Sequence, residues 1–161
     1  MKELLSKLSS YNIFNYLLPG VVFVAISPLA SGYSFVQDNL LIGAFLYYFV
    51  GLVISRVGSL VIEPTLKKLG VLRFADYSDF VAASKKDEKL EVLSEVNNTY
   101  RTLCSMFLLL ISLRLYSWLE SRLPFLGEWD TVLLPALLLV MFVFSYRKQT
   151  NYITKRIKAS D

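Results

Sequence analysis

The chain reads as an all-α integral membrane protein with four transmembrane helices, and three observations predict it. Four apolar stretches, residues 13–30, 40–62, 103–119 and 131–146, each approach the ~20 residues that a helix needs to cross a hydrocarbon core of ~30 Å. Hydrophobic residues make up 55% of the 161, above the about 45–50% usual for a soluble domain, and the excess sits in those four blocks. The basic residues, finally, sort by side.

Two lie in the N-terminal segment (Lys2, Lys7). Seven lie in the central loop (Lys67, Lys68, Arg73, Lys85, Lys86, Lys89, Arg101), and five in the tail (Arg147, Lys148, Lys155, Arg156, Lys158). The first outer link has none, and the second has Arg122 alone against Glu120, Glu128 and Asp130. Lys and Arg resist translocation, so the rich side is cytoplasmic. Both termini are then cytoplasmic, which agrees with an even number of spans. Residues 1–161 form a single four-helix membrane domain, with residues 65–102 a cytosolic helical excursion within it.

The first element is a short amphipathic helix over residues 1–11. Leu4, Leu5, Leu8 and Tyr11 share one face, suited to the inner headgroup layer. The first span follows. Asn12 and Asn15 are unusual near an interface, because an unbonded amide is costly in hydrocarbon. Pro19 predicts a kink or break at residues 18–20, and Pro28 is expected to end the span. Pro19-Gly20 also interrupts the apolar run, so we expect no cleavage of a leader there.

The second span carries a stripe of small residues, Gly43, Gly51, Ser55 and Ser59, with Gly58 adjacent. Small residues let helices approach closely, within the chain or between subunits. Pro64 is expected to terminate this helix. Arg56 lies inside the span and Glu63 seven residues on, ~10 Å away along the axis. The pair is a candidate for structural pairing, for snorkelling, or for a gating role.

The excursion predicts a helix start at Asp76-Tyr77-Ser78-Asp79 and another at Ser84-Lys85-Lys86-Asp87. From Asp87 to Leu119 no breaker intervenes, so the third helix extends ~20 Å into the cytosol. Leu90, Leu93, Val96 and Tyr100 form its apolar stripe, a candidate partner face. That face would bury itself against residues 74–83, another subunit, or a cytosolic protein partner. Cys104 is expected to be a buried, inert thiol. Arg114 near the outer end would snorkel to the acidic link, or ring an outer mouth in an oligomer. The fourth span has Pro135 in its first turns and ends at Arg147-Lys148. The tail predicts a short amphipathic helix through Tyr152, Ile153 and Ile157.

No histidine occurs and there is one cysteine, so the commonest general base and any intrachain disulfide are missing. No metal spacing, phosphate loop or catalytic pair appears. The chain is expected to be no enzyme and to need no cofactor. The basic rim fits the anionic inner leaflet of membrane lipids. Nucleic acid is not an expected partner, since residues 85–89 carry no aromatic residue among their charges.

Two segments stand out, residues 12–23 (Asn12-Ile13-Phe14-Asn15-Tyr16-Leu17-Leu18-Pro19-Gly20-Val21-Val22-Phe23) and residues 54–64 (Ile54-Ser55-Arg56-Val57-Gly58-Ser59-Leu60-Val61-Ile62-Glu63-Pro64). With the overall plan, they resemble the small multi-span membrane proteins of prokaryotic antiviral defence loci, Kiwa-type membrane sensors and the membrane effectors of cyclic-nucleotide systems among them. The resemblance implies a homo-oligomer of the inner membrane that senses envelope disturbance or permeabilises the membrane on a signal. It carries no site residue across. The expected function is therefore a non-enzymatic sensor or effector acting through helix rearrangement, with Arg56, Glu63 and Arg114 as its candidate charges. The alternatives are a small channel or transport accessory, or a membrane anchor for a cytosolic partner.

Overall fold

The computed structural model describes residues 12–160, so the amphipathic helix expected over residues 1–11 lies outside the described part. Five helices make up the described residues. They are α1 (Ile13–Ser31), α2 (Leu40–Lys68), α3 (Tyr77–Ser84), α4 (Lys89–Arg122) and α5 (Phe125–Ser160). All but α3 are long and apolar enough to cross a membrane.

Prolines interrupt these helices less than their chemistry suggests. A π turn, Ile13–Leu17, opens α1, and the Leu18 amide reaches back to Ile13 O just before Pro19. A second π turn, Gly58–Ile62, sits in α2, and the Glu63 amide reaches Gly58 O just before Pro64. Each wide turn shifts the hydrogen-bond register where proline would break it. The expected break at residues 18–20 is therefore a π turn inside a continuous helix. The expected stop at Pro64 is absent, and α2 runs on to Lys68. Pro28 likewise lies inside α1, which ends three residues later where Gly32 takes φ 83° and returns its amide to Pro28 O. That left-handed cap suits glycine, which has no Cβ to clash. At the start of α2, Asn39 caps the helix by accepting the Leu41 and Ile42 amides.

The third helix is continuous, as its sequence predicts. It begins at Lys89, whose amide Asp87 Oδ1 accepts at 3.0 Å, so Ser84 is not its cap. The tail is not a separate helix. No Gly or Pro follows Pro135, and α5 continues through Lys148 to Ser160. Pro135 sits well inside α5, since that helix already starts at Phe125.

Packing is uneven. Ile54, Met106 and Leu110 form the buried apolar centre, joined by Val22, Phe23, Ile26 and Val50, so α1, α2 and α4 make a tight trio. Two glycines explain how closely α1 and α2 approach. A Cβ on Gly51 would stand 1.7 Å from Tyr16 O, and one on Gly20 1.8 Å from Tyr47 O. Gly58 brings α4 in, with the Arg101 carbonyl 3.2 Å from where its Cβ would be. By contrast, α5 lies at the edge. Its apolar stretch has no small-residue stripe, and Leu133, Leu134, Leu137, Leu139 and Val140 are all exposed. Beyond the trio, α3 is held between α4 and α5, with Val81 buried and the Tyr77 and Tyr152 rings 6.1 Å apart.

The distribution of polarity is inverted relative to a water-soluble fold. Among the described residues, the buried hydrophobic side chains are Tyr16, Val24, Ile54, Val81, Met106 and Leu110. Asn15, Ser27, Ser31, Ser55, Ser59, Glu63, Thr102 and Ser105 are buried with them, while dozens of large apolar side chains face out. A soluble monomer rarely exposes a continuous apolar patch above a few hundred Å². Small and hydroxyl residues inside, with Leu, Val and Phe outside, suit a hydrocarbon solvent.

Candidate functional site

Two polar layers lie at the basic end of the trio. The deeper one joins three helices. Asn15 Nδ2 on α1 donates to Ser55 Oγ on α2 at 3.2 Å, and Asn15 Oδ1 accepts from Thr102 Oγ1 on α4 at 2.7 Å. Thr102 and Asn15 have no exposed surface, and neither does Ser55. One turn on, Ser105 Oγ donates to Ile54 O at 2.8 Å. A buried amide must find partners, and this knot supplies them from α2 and α4.

Above it sits Glu63, the only buried acid among the described residues. Its Oε2 accepts from Arg101 Nη1 at 2.8 Å, and its Oε1 from Lys67 Nζ at 3.2 Å. Lys148 Nζ on α5 lies 3.5 Å from the same Oε1 and donates at 2.6 Å to Ser59 O. One carboxylate thus gathers cations from α2, α4 and α5. Lys67 also lies 4.0 Å above the Phe74 ring, which ties the loop after α2 to the cluster.

The structure separates the three charges singled out from the sequence. Arg56 does not reach Glu63. Its Nη2 donates to Tyr16 OH at 3.3 Å, while Glu63 is taken up by Lys67, Arg101 and Lys148. Arg114 is exposed and makes no ion pair among the described residues, about 20 Å along α4 from Arg101. Within the stripe, Gly51, Ser55, Gly58 and Ser59 face α1, α4 or Lys148, whereas the atoms nearest a Cβ on the buried Gly43 belong to the Tyr47 side chain of its own helix, at 3.3 Å. Of the partner face, Leu93, Val96 and Tyr100 are exposed and Leu90 is half-buried. The α3 helix does not cover that face. Cys104 is exposed too, because Thr102, Ser105 and Met106 take the inward side of α4.

At the opposite end the links are pinned by phenols. Tyr33 hydrogen-bonds Glu120, and Tyr116 hydrogen-bonds Asp130. The bond to the Glu120 carboxylate pushes the Tyr33 phenol up to about 12, so it stays a neutral donor. Ser117 Oγ donates to Ser31 O at 2.9 Å, which fixes the end of α1 on α4.

Sequence reasoning missed Arg101, Lys148 and Thr102 as members of these layers. In the sequence Arg101 counts only among the central-loop charges, and Lys148 only as the end of the fourth span. The available signal was stoichiometric, since a lone acid at the edge of a span calls for cations from other helices. No group of three metal-ligating side chains occurs among the described residues.

Fold and site define a class: an all-α chain with four helices suited to multi-pass membrane insertion and a charge cluster at one end. Comparison of the chain with protein-family models, with curated proteins and with solved structures finds no match.

Proposed function

We propose that this chain is a non-enzymatic sensor or effector of a prokaryotic inner membrane. Both termini, the loop 69–88, the start of α4 and the end of α5 then lie in the cytosol. The charge bias supports that orientation. The defence setting and the homo-oligomer rest on the resemblance of the overall plan.

The observation that carries the reading is the Glu63–Arg101 bond, 2.8 Å long, at the point where α4 leaves the trio. On one side of Arg101, α4 is packed through Thr102, Ser105 and Met106. On the other it extends ~18 Å with Leu93, Val96 and Tyr100 exposed. One unbroken helix therefore joins the membrane layer to a free apolar face. A disturbance that competes for the cations on Glu63 loosens α4 from α2 and re-aims that face. A single carboxylate sharing several cations suits this role, because headgroup phosphates offer the same cations an alternative partner.

The exposed face favours a second reading, a membrane anchor for a cytosolic partner. Bacteria carrying the chain with its neighbouring genes are challenged with bacteriophage. Glu63→Gln is expected to abolish protection while the protein stays in the membrane. Leu93→Asp should do the same, and under the anchor reading it also releases the partner in a pull-down. Protection unchanged by both substitutions would refute the sensor reading. Strong ion flux from liposomes holding the purified chain alone would replace it with a channel.

A further inference from the structure

A cleft of about 580 Å³ opens between α2, α4 and α5. Val57, Leu60, Leu109, Leu137, Met141 and Phe144 are among its walls. The volume falls in the about 300–1,000 Å³ typical of ligand sites. A second cavity of about 20 Å³ adjoins it, bounded by Arg56, Ser59, Ser145 and Lys148. Leu60 belongs to both walls, and Phe144 of the cleft is followed directly by Ser145 of the small cavity.

The small cavity is polar and incompletely bonded. Arg56 Nε and Ser145 Oγ are both buried there without a hydrogen-bond partner in the described protein. Such atoms call for an acceptor. The space admits one water-sized group, and charge decides which. Arg56 and Lys148 both line the cavity, and Lys148 shares its one acid, Glu63, with Lys67 and Arg101, so positive charge is in excess. A water satisfies the Arg56 N–H and leaves that excess. An anionic oxygen satisfies both.

We propose that the two cavities together hold one anionic phospholipid of the cytoplasmic leaflet. A phosphate oxygen enters between Arg56, Ser145 and Lys148, and an acyl chain lies along the cleft. The proposal deepens the sensor reading and rests on its inward-facing orientation, because the basic end must meet the cytoplasmic leaflet. The bound lipid would be the element through which headgroup changes reach Lys148 and Glu63.

The purified full-length chain in detergent is titrated with phosphatidylglycerol, phosphatidylcholine and inorganic phosphate. Bound lipid is counted by native mass spectrometry, and Tm is followed. One retained phosphatidylglycerol per chain is expected, with a rise in Tm that the other two probes do not give. Arg56→Gln should weaken retention about tenfold through loss of a charge-assisted bond. Leu137→Trp, which fills the cleft and leaves every charge in place, should do likewise, and it decides the matter if Arg56→Gln does not fold. Equal retention of phosphatidylcholine overturns the proposal. So does an equal Tm rise with inorganic phosphate, which would mark a free-anion site. In a Cys104→Ser background, a Leu137→Cys disulfide between two copies of the chain would put a second copy at the cleft and overturn it as well. Lipid retention needs no signalling, so phage protection unchanged by Glu63→Gln and Leu93→Asp, with retention intact, refutes the function and spares the site.

Discussion

Arg101 Nη1 stands 2.8 Å from Glu63 Oε2, and this bond closes the α2–α4 seam directly above the buried Asn15–Thr102 pair. The two layers differ in what holds them. The upper one is ionic and in part exposed, and the lower one is neutral and fully buried. Their responses to substitution should differ accordingly.

Glu63→Gln leaves Arg101 and Lys148 clustered without their acid. Removing one partner of a buried pair typically costs 3–5 kcal/mol. Lys148 and Lys67 are partly exposed here, so we expect about 3 kcal/mol. Arg101→Gln should cost nearly as much, being the shortest and least exposed of the three contacts. Lys67→Gln should cost under about 1 kcal/mol, as for a surface pair. Reversible unfolding in mixed micelles gives the order. A Lys67 effect equal to that of Arg101 would contradict it.

The neutral layer is tested by a double-mutant cycle on Asn15→Ala and Thr102→Val. Hydrogen bonds between membrane helices average about 0.6 kcal/mol and reach about 1.7. A pair at 2.7 Å with no exposure belongs at the upper end. Additive costs would mean that the bond contributes nothing.

Small residues of one stripe should separate cleanly. Gly51→Ala places a methyl 1.7 Å from Tyr16 O, and Gly20→Ala places one 1.8 Å from Tyr47 O, both against backbone. Either forces α1 and α2 apart, and each is expected to cost about 3 kcal/mol or more, the upper end of the about 1–3 of ordinary overpacking, because the clash is with backbone. A Cβ on Gly43 first meets the Tyr47 side chain at 3.3 Å, which has to give by only a few tenths of an ångström, so Gly43→Ala should cost far less than either. Detergent-resistant folding of the three variants, followed by size-exclusion chromatography, checks the contrast.

The spans were legible because runs of Leu, Val and Phe leave no other solvent for residues 13–30 or 40–62. The continuity of α4 followed from the absence of Gly and Pro across it. The same rule applied to α5 gives its extension to Ser160, although the charge change at Arg147 suggested a boundary there. The continuation of α1 through Pro19 and of α2 through Pro64 was not legible, since a π turn that absorbs a proline leaves no composition signal. Two of the three partners of Glu63, Arg101 and Lys148, come from positions 38 and 85 residues away, so only the packing of α4 and α5 brings them in beside Lys67. Asn15 announced itself as a costly amide, but its partners Ser55 and Thr102 are ordinary residues whose spacing says nothing of whom they face. The marginal position of α5 was likewise hidden, because an apolar helix without small residues reads the same whether it is packed or bathed in lipid.

The placement of the basic end decides the account. In a Cys104→Ser background, Lys86→Cys and Ser34→Cys are exposed to a membrane-impermeant maleimide on intact cells. The account predicts labelling at position 34 and, at position 86, labelling only after the inner membrane is opened. Labelling of position 86 on intact cells, or recovery of the chain in the soluble fraction without detergent, would contradict it.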